Sequence, residues 1–150
     1  MSAVLKSEAI RPAFAPQISG LARPALDPYA RVLGWRELAA KTREVATKNG
    51  AKAVLTDMRE TTAELIYYLR DANLPVVVWY RGGPPQNHFE MTRPLSRATP
   101  QPLLYVTLLK GETSVLKRFD SVGKIATTTD QGSSVREAHF FLLSGYEPDR

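Results

Sequence analysis

The feature that most constrains the fold is a switch of hydrophobic period between residues 34 and 80. Trp35, Leu38, Ala39, Thr42, Val45 and Ala46 recur at helical spacing and mark one face of an amphipathic helix. Arg36, Glu37, Lys41, Arg43, Glu44 and Lys48 take the remaining positions, and Asn49-Gly50 supplies residues that tolerate the left-handed turn after a helix. The short apolar run Ala53-Val54-Leu55-Thr56 ends in Asp57 and reads as a buried strand closed by an acid. Thr61 with Glu64 three residues on reads as a capping box, opening a helix through Leu65-Ile66-Tyr67-Tyr68-Leu69. The spacing therefore predicts helix 34–48, strand 52–57, helix 61–70 and strand 75–80. That rhythm belongs to βαβ units and a parallel sheet.

The flanks complete the expectation. Pro12, Pro16, Pro24 and Pro28, with Gly20, forbid a long helix, so residues 1–28 read as an irregular lead-in and residues 29–150 as the domain. Residues 81–101 hold Gly82, Gly83 and the prolines 84, 85, 94 and 100, a long loop ordered by its own contacts. Residues 103–109 read as a strand, and 112–120 as a short helix with Val115, Leu116 and Phe119 on one face. Residues 121–128 and 136–146 read as strands joined by a polar turn at Asp130-Gln131-Gly132-Ser133, an antiparallel hairpin at the sheet edge. The expected fold is a single α/β domain, three-layer-like, its sheet mostly parallel with an antiparallel C-terminal edge.

Composition narrows the function classes. At 150 residues the chain has room for one core, and 43% apolar with 23% charged residues is globular rather than disordered. The absence of cysteine excludes a disulfide scaffold, a zinc ribbon and cysteine catalysis. No apolar run is long enough to span a bilayer, and the first twenty residues lack the apolar core of a cleavable signal. The formal charge of +5 is spread, with eleven basic and eight acidic residues in 1–75 and nine and seven in 76–150. A nucleic-acid binder concentrates its charge on one stripe, so no nucleic-acid partner is expected.

The candidate site residues each carry a competing structural reading. Asp57 lies where ligands of open parallel sheets bind, beyond the carboxyl end of a strand, and can meet a sugar hydroxyl. It can equally cap the next helix or pair with Arg59. No glycine-rich fingerprint precedes that helix, which weakens a nucleotide reading. Of Tyr67 and Tyr68 one ring packs and the other is partly exposed, as a wall for a sugar or as ordinary helix packing. The loop from Arg81 to Pro94 is the densest in donors: Arg81, Asn87, His88 and Arg93 line a shared surface, the arginines suited to phosphate and Asn87 to paired hydroxyls, or else Asn87 and His88 bond the loop's own backbone while Phe89 and Met91 anchor it. Its paired glycines allow a close backbone approach. His88 and His139 are the only histidines and neither has a second ligand at metal spacing, so no metal and no cofactor are expected. His139, among Phe140, Phe141 and Leu142, reads as a satisfied strand residue. No nucleophile elbow or paired carboxylates stand out, so no residue is assigned a catalytic role.

Asp27-Pro28-Tyr29 with Gly34-Trp35-Arg36-Glu37-Leu38 resembles the junction after the last transmembrane helix in bacterial glycosyltransferases of the dolichyl-phosphate-mannose–protein mannosyltransferase type (glycosyltransferase family 39 and its aminoarabinose-transferase-like relatives). Thr56-Asp57-Met58-Arg59 followed by Ala63 to Leu69 is similar to the strand, acid and helix of that family's C-terminal domain. Pro75 to Trp79, then Gln86-Asn87-His88-Phe89-Glu90, resembles its next strand and its Asn-(His/Gln)-(aromatic)-acid loop, and Arg136 to Tyr146 resembles its last strand. The resemblance covers roughly residues 27–147. It implies a domain at the extracytoplasmic (periplasmic) face of the inner membrane, partnered by a membrane-embedded catalytic domain of the same protein. Such enzymes move sugar from a polyprenyl-phosphate donor, so lipid-linked sugar or acceptor glycan is the implied ligand. The membrane segments are missing from this sequence, and the family's catalytic acid lies in loops between them, so no residue here inherits that role. Two expectations result: an accessory domain of a polyprenyl-phosphate-sugar-dependent membrane glycosyltransferase, inactive when isolated; or a free-standing cytoplasmic α/β module for a small ligand or nucleotide.

Overall fold

The computed structural model describes residues 28–109, 113–128 and 137–149. Helix α1 (Pro28–Lys48) leads into β1 (Ala53–Thr56), α2 (Arg59–Tyr68) and β2 (Val76–Val78). A short α3 (His88–Thr92) follows, then β3 (Leu103–Thr107), a 3-10 turn (Leu116–Arg118), β4 (Phe119–Thr128) and β5 (Ala138–Tyr146). The five strands form one sheet in the order β2-β1-β3-β5-β4. β1 pairs parallel with β2 and with β3, while β5 runs antiparallel to β3 and to β4. The α/β domain with a parallel sheet and an antiparallel C-terminal edge is therefore present. The turn expected at 130–133 and the lead-in lie outside the described residues, apart from Pro28.

Alternation along the strands divides the core in two. Val54, Leu104, Val106 and Phe140 face α1 and α2, where they pack with Trp35, Leu38, Val45, Leu65 and Leu69. Ala53, Leu55, Leu103, Tyr105, Phe141 and Leu143 face the other side and meet Trp79, Leu95, Val115 and Phe119. Helices thus cover one face, and the third layer consists of irregular chain and short helical turns. Among the described residues no helix is long and apolar enough to cross a membrane.

Several local expectations shift. α1 begins at Pro28, six residues before Gly34, because proline is suited to the first helical position, where its missing N–H costs no internal bond. It ends as expected near Asn49-Gly50: Ala51 N–H donates to Ala46 O at 2.9 Å and Gly50 N–H to Thr47 O at 3.3 Å. The capping box is absent. α2 starts at Arg59 with Met58 as its N-cap and no side-chain cap bond, and Thr61 and Thr62 are buried inside the first turn. There Thr62 Oγ1 bonds Met58 O at 2.7 Å and shares a 2.6 Å bond with Thr56 Oγ1, tying the helix start to β1. The helix expected over 112–120 shrinks to the 3-10 turn, and Phe119 already belongs to β4, although Val115, Leu116 and Phe119 do pack into one cluster.

Candidate functional site

The outer ends of β1, β2 and β3 build the site. Asp57 follows β1 with the parity of Ala53 and Leu55, so it emerges on the loop-covered face. The parallel register sets Leu55 beside Tyr105 and Thr56 beside Val106, which brings the next position, Asp57, to Thr107. Asp57 Oδ2 accepts a hydrogen bond from Tyr105 Oη at 2.6 Å and from Thr107 Oγ1 at 2.7 Å. Tyr105 has a single proton, which the carboxylate takes, so the Thr113 hydroxyl 3.1 Å away is left to donate to the phenol oxygen. Thr107 Oγ1 in turn accepts from Leu109 N–H at 3.1 Å. Burial first, and then the charge of Asp57, push the Tyr105 phenol well above its ordinary range, which keeps it a neutral donor.

This arrangement fixes one carboxylate oxygen and leaves the other. Asp57 Oδ1 is buried and has no hydrogen-bond partner among the described residues. Trp79 is tied to the end of β1 by its backbone N–H, bonded to Thr56 O at 2.7 Å. The residue is only 8% exposed, and its indole Nε1 is likewise buried and unpartnered among the described residues. A buried polar group left unpaired costs about 1–3 kcal/mol, so an acceptor and a donor left unpaired on two residues that line one cleft need a physical reason.

Both residues line a cleft of about 650 Å³ that also takes in Tyr80, Arg81, Gln86, Glu90 and Thr113. The chain leaves β1 for β2 on one side and returns to β3 on the other, so this crevice lies at the topological switch point where open α/β sheets bind ligands. Among the described lining residues the charges are Asp57, Glu90 and Arg81, a net of one negative. Gln86 N–H donates to Glu90 Oε2 at 2.6 Å, and the Tyr80 hydroxyl donates to Gly83 O, so the rim is tied to itself. Among the described residues no three His, Asp or Glu side chains stand close enough to hold a metal ion.

The sequence candidates separate here. Asp57 and Arg81 line the cleft, whereas Asn87, His88 and Arg93 are not among its lining residues. Asp57 does not cap α2; its bonds run across the sheet. Asn87 caps α3 instead, its Oδ1 accepting from Phe89 N–H at 2.9 Å and Glu90 N–H at 3.1 Å. His88 is exposed, its ring edge-on to Phe89. Arg93 is exposed and its backbone is fixed, with N–H to Phe89 O at 2.7 Å and O taken by Val78 N–H at 2.8 Å. Met91, at 67% exposed, anchors nothing. Gly82 and Gly83 owe their presence to positive φ, 92° and 83°, not to a close approach, since an added Cβ would meet nothing within 4 Å. Tyr67 is the exposed ring of its pair and Tyr68 the packed one. The Arg70 guanidinium covers the Tyr67 ring at 4.4 Å, and α2 lies on the sheet face away from the cleft. His139 sits buried in β5 beside Glu137 at 3.2 Å.

Sequence reasoning missed Tyr105, Thr107, Trp79 and Thr113. The available signal was parity: Tyr105 and Thr107 sit two apart at the end of the third strand and share a face. No protein-family model, no curated protein and no solved structure matches the chain.

Proposed function

We propose that the chain is a binding domain rather than a self-sufficient enzyme: the accessory extracytoplasmic domain of a polyprenyl-phosphate-sugar-dependent membrane glycosyltransferase. One observation carries this reading. Three of the stretches that resemble that family's C-terminal domain contribute to one cleft: Asp57 from the first, Trp79 from the second, and Gln86 and Glu90 from the third line it together. Convergence of separated segments on one crevice is expected when they share a ligand, and it is not required by core packing. The competing nucleotide reading is weaker on two counts. The turn from Thr56 to Arg59 has no glycine to let a backbone approach a pyrophosphate, and the first turn of α2 carries Glu60, which opposes an anion there.

The test is sugar transfer from a polyprenyl-phosphate donor in membranes holding the whole enzyme that carries or accompanies this chain. The 150-residue chain alone should give no turnover, because the resemblance assigns the catalytic acid to the membrane-embedded partner domain and a general acid or base must sit at the reacting atoms. The whole enzyme should turn over, and should lose rate when this domain is deleted. Turnover by the isolated chain, or deletion without effect, overturns the proposal.

A further inference from the structure

We infer that the cleft between β1, β2 and β3 binds the hydroxyls of an uncharged sugar ring, with Asp57 Oδ1 as acceptor and Trp79 Nε1 as donor. This deepens the accessory-domain reading and rests on it only for the source of the sugar, since the recognition chemistry stands on the cleft itself. Tyr105 and Thr107 occupy Oδ2 and so orient the carboxylate, leaving Oδ1 as the oxygen with capacity to spare. The indole N–H is an obligate donor, and with the residue 8% exposed and the Arg118 guanidinium 5.8 Å over its ring, the proposed contribution of Trp79 is this hydrogen bond and not stacking. A hydroxyl donates and accepts at once, so the hydroxyls of one ring match both an unpaired acceptor and an unpaired donor. The oxygens of a phosphodiester only accept, and any phosphate would bring its negative charge to Asp57 and Glu90, with Arg81 as the single opposing cation among the described lining residues. A primary ammonium would satisfy Asp57 but leave Trp79 Nε1 facing another donor. The two atoms together select an uncharged polyol.

The experiment uses the 150-residue chain and ¹H–¹⁵N spectra of its two tryptophan indoles, the Trp79 resonance assigned by its loss in Trp79→Phe. Methyl glycosides of hexoses and pentoses are titrated, with inorganic phosphate and methylammonium as parallel probes. At least one glycoside should move the Trp79 indole resonance saturably while leaving that of Trp35, on the opposite face, in place. Phosphate and methylammonium should not. Asp57→Asn should weaken the glycoside by roughly tenfold or more, the loss expected for one charge-assisted bond. If Asp57→Asn fails to fold, Trp79→Phe serves, read from the Asp57 and Thr107 amides, and it should weaken binding by a similar factor. No response to any glycoside, an equal response to phosphate or methylammonium, or unchanged affinity in the folded variant overturns the inference. A water-soluble short-chain polyprenyl-phosphate sugar and a free oligosaccharide then distinguish donor from acceptor as the source, either one supporting the inference. Glycoside binding by a domain whose deletion leaves transfer unaffected would sink the accessory role alone, and a required domain without glycoside binding would sink the ligand alone.

Discussion

Replacing Tyr105 by Phe removes a single oxygen from a fully buried ring, and two consequences can be calculated. The bond to Asp57 Oδ2 disappears, leaving Thr107 as the donor to that oxygen. A hydrogen bond to a charged acceptor contributes about 2 kcal/mol, so Tyr105→Phe should unfold at lower urea by that amount while remaining folded in buffer. The second consequence is pH dependence. The folded phenol is raised above its ordinary 10.0 by burial and by Asp57, so the native state holds its proton more tightly than the unfolded state does. That stabilisation is complete below the ordinary phenol range and drains away as pH climbs above it. Urea midpoints should therefore fall with rising alkaline pH in the wild type, with a shallower fall in Tyr105→Phe. Tyr146, raised mainly by burial, supplies a background slope common to both. Equal slopes would mean that Tyr105 does not hold the proton as the geometry requires.

Among the elements, β4 and β5 show where packing rather than propensity fixes the chain. Gly145 has φ +72°, and an added Cβ would lie 2.7 Å from Asp120 Cβ across the hairpin. Gly145→Ala therefore combines backbone strain with a contact that no rotamer relieves, and should cost about 2 kcal/mol in a denaturation curve. In a double-mutant cycle with Asp120→Gly the steric share should appear as coupling between the two sites, whereas strict additivity would place the whole cost in φ. The same elements explain what the sequence disclosed. The amphipathic face from Trp35 to Ala46 and the apolar runs of β1, β2 and β3 are local signals, and the parallel architecture follows from them. Val115, Leu116 and Phe119 carry a helical spacing but are drawn into a shared core by the sheet, so their pattern indicated burial correctly and conformation wrongly. Thr61 and Glu64 matched a cap, but with Thr61 buried and Thr62 bonded to Thr56 of β1 the helix starts two residues earlier. Asp57 was visible as an acid at a strand end. Its partners lie 48 and 50 residues away and depend on the β1–β3 register, which no local pattern encodes.

For the whole molecule, the question is whether two cores of such different construction melt together. One is helix against sheet; the other is sheet against loops and a 3-10 turn. Loops alone would favour early opening of the second face, since irregular chain carries few regular hydrogen bonds. The strands argue otherwise. Val54 and Leu55, Leu104 and Tyr105, and Phe140 and Phe141 are neighbours that plug opposite cores, so neither face can be exposed by unfolding without loosening strands that hold the other. The Asp57 bonds to Tyr105 and Thr107 close the loop-side core at its outer end and bind β1 to β3 there. The two tryptophans divide between the cores, Trp35 at 6% exposure on the helix side and Trp79 at 8% on the loop side. Trp79→Phe leaves Trp35 as the fluorophore and Trp35→Phe leaves Trp79. In each variant the tryptophan emission should change over the same urea range as the far-ultraviolet circular dichroism, as one cooperative transition requires. If Trp79 emission in Trp35→Phe shifted at lower urea than the dichroism, the loop-side core would be a separate, weaker unit, and the cleft would rest on a face that opens by itself.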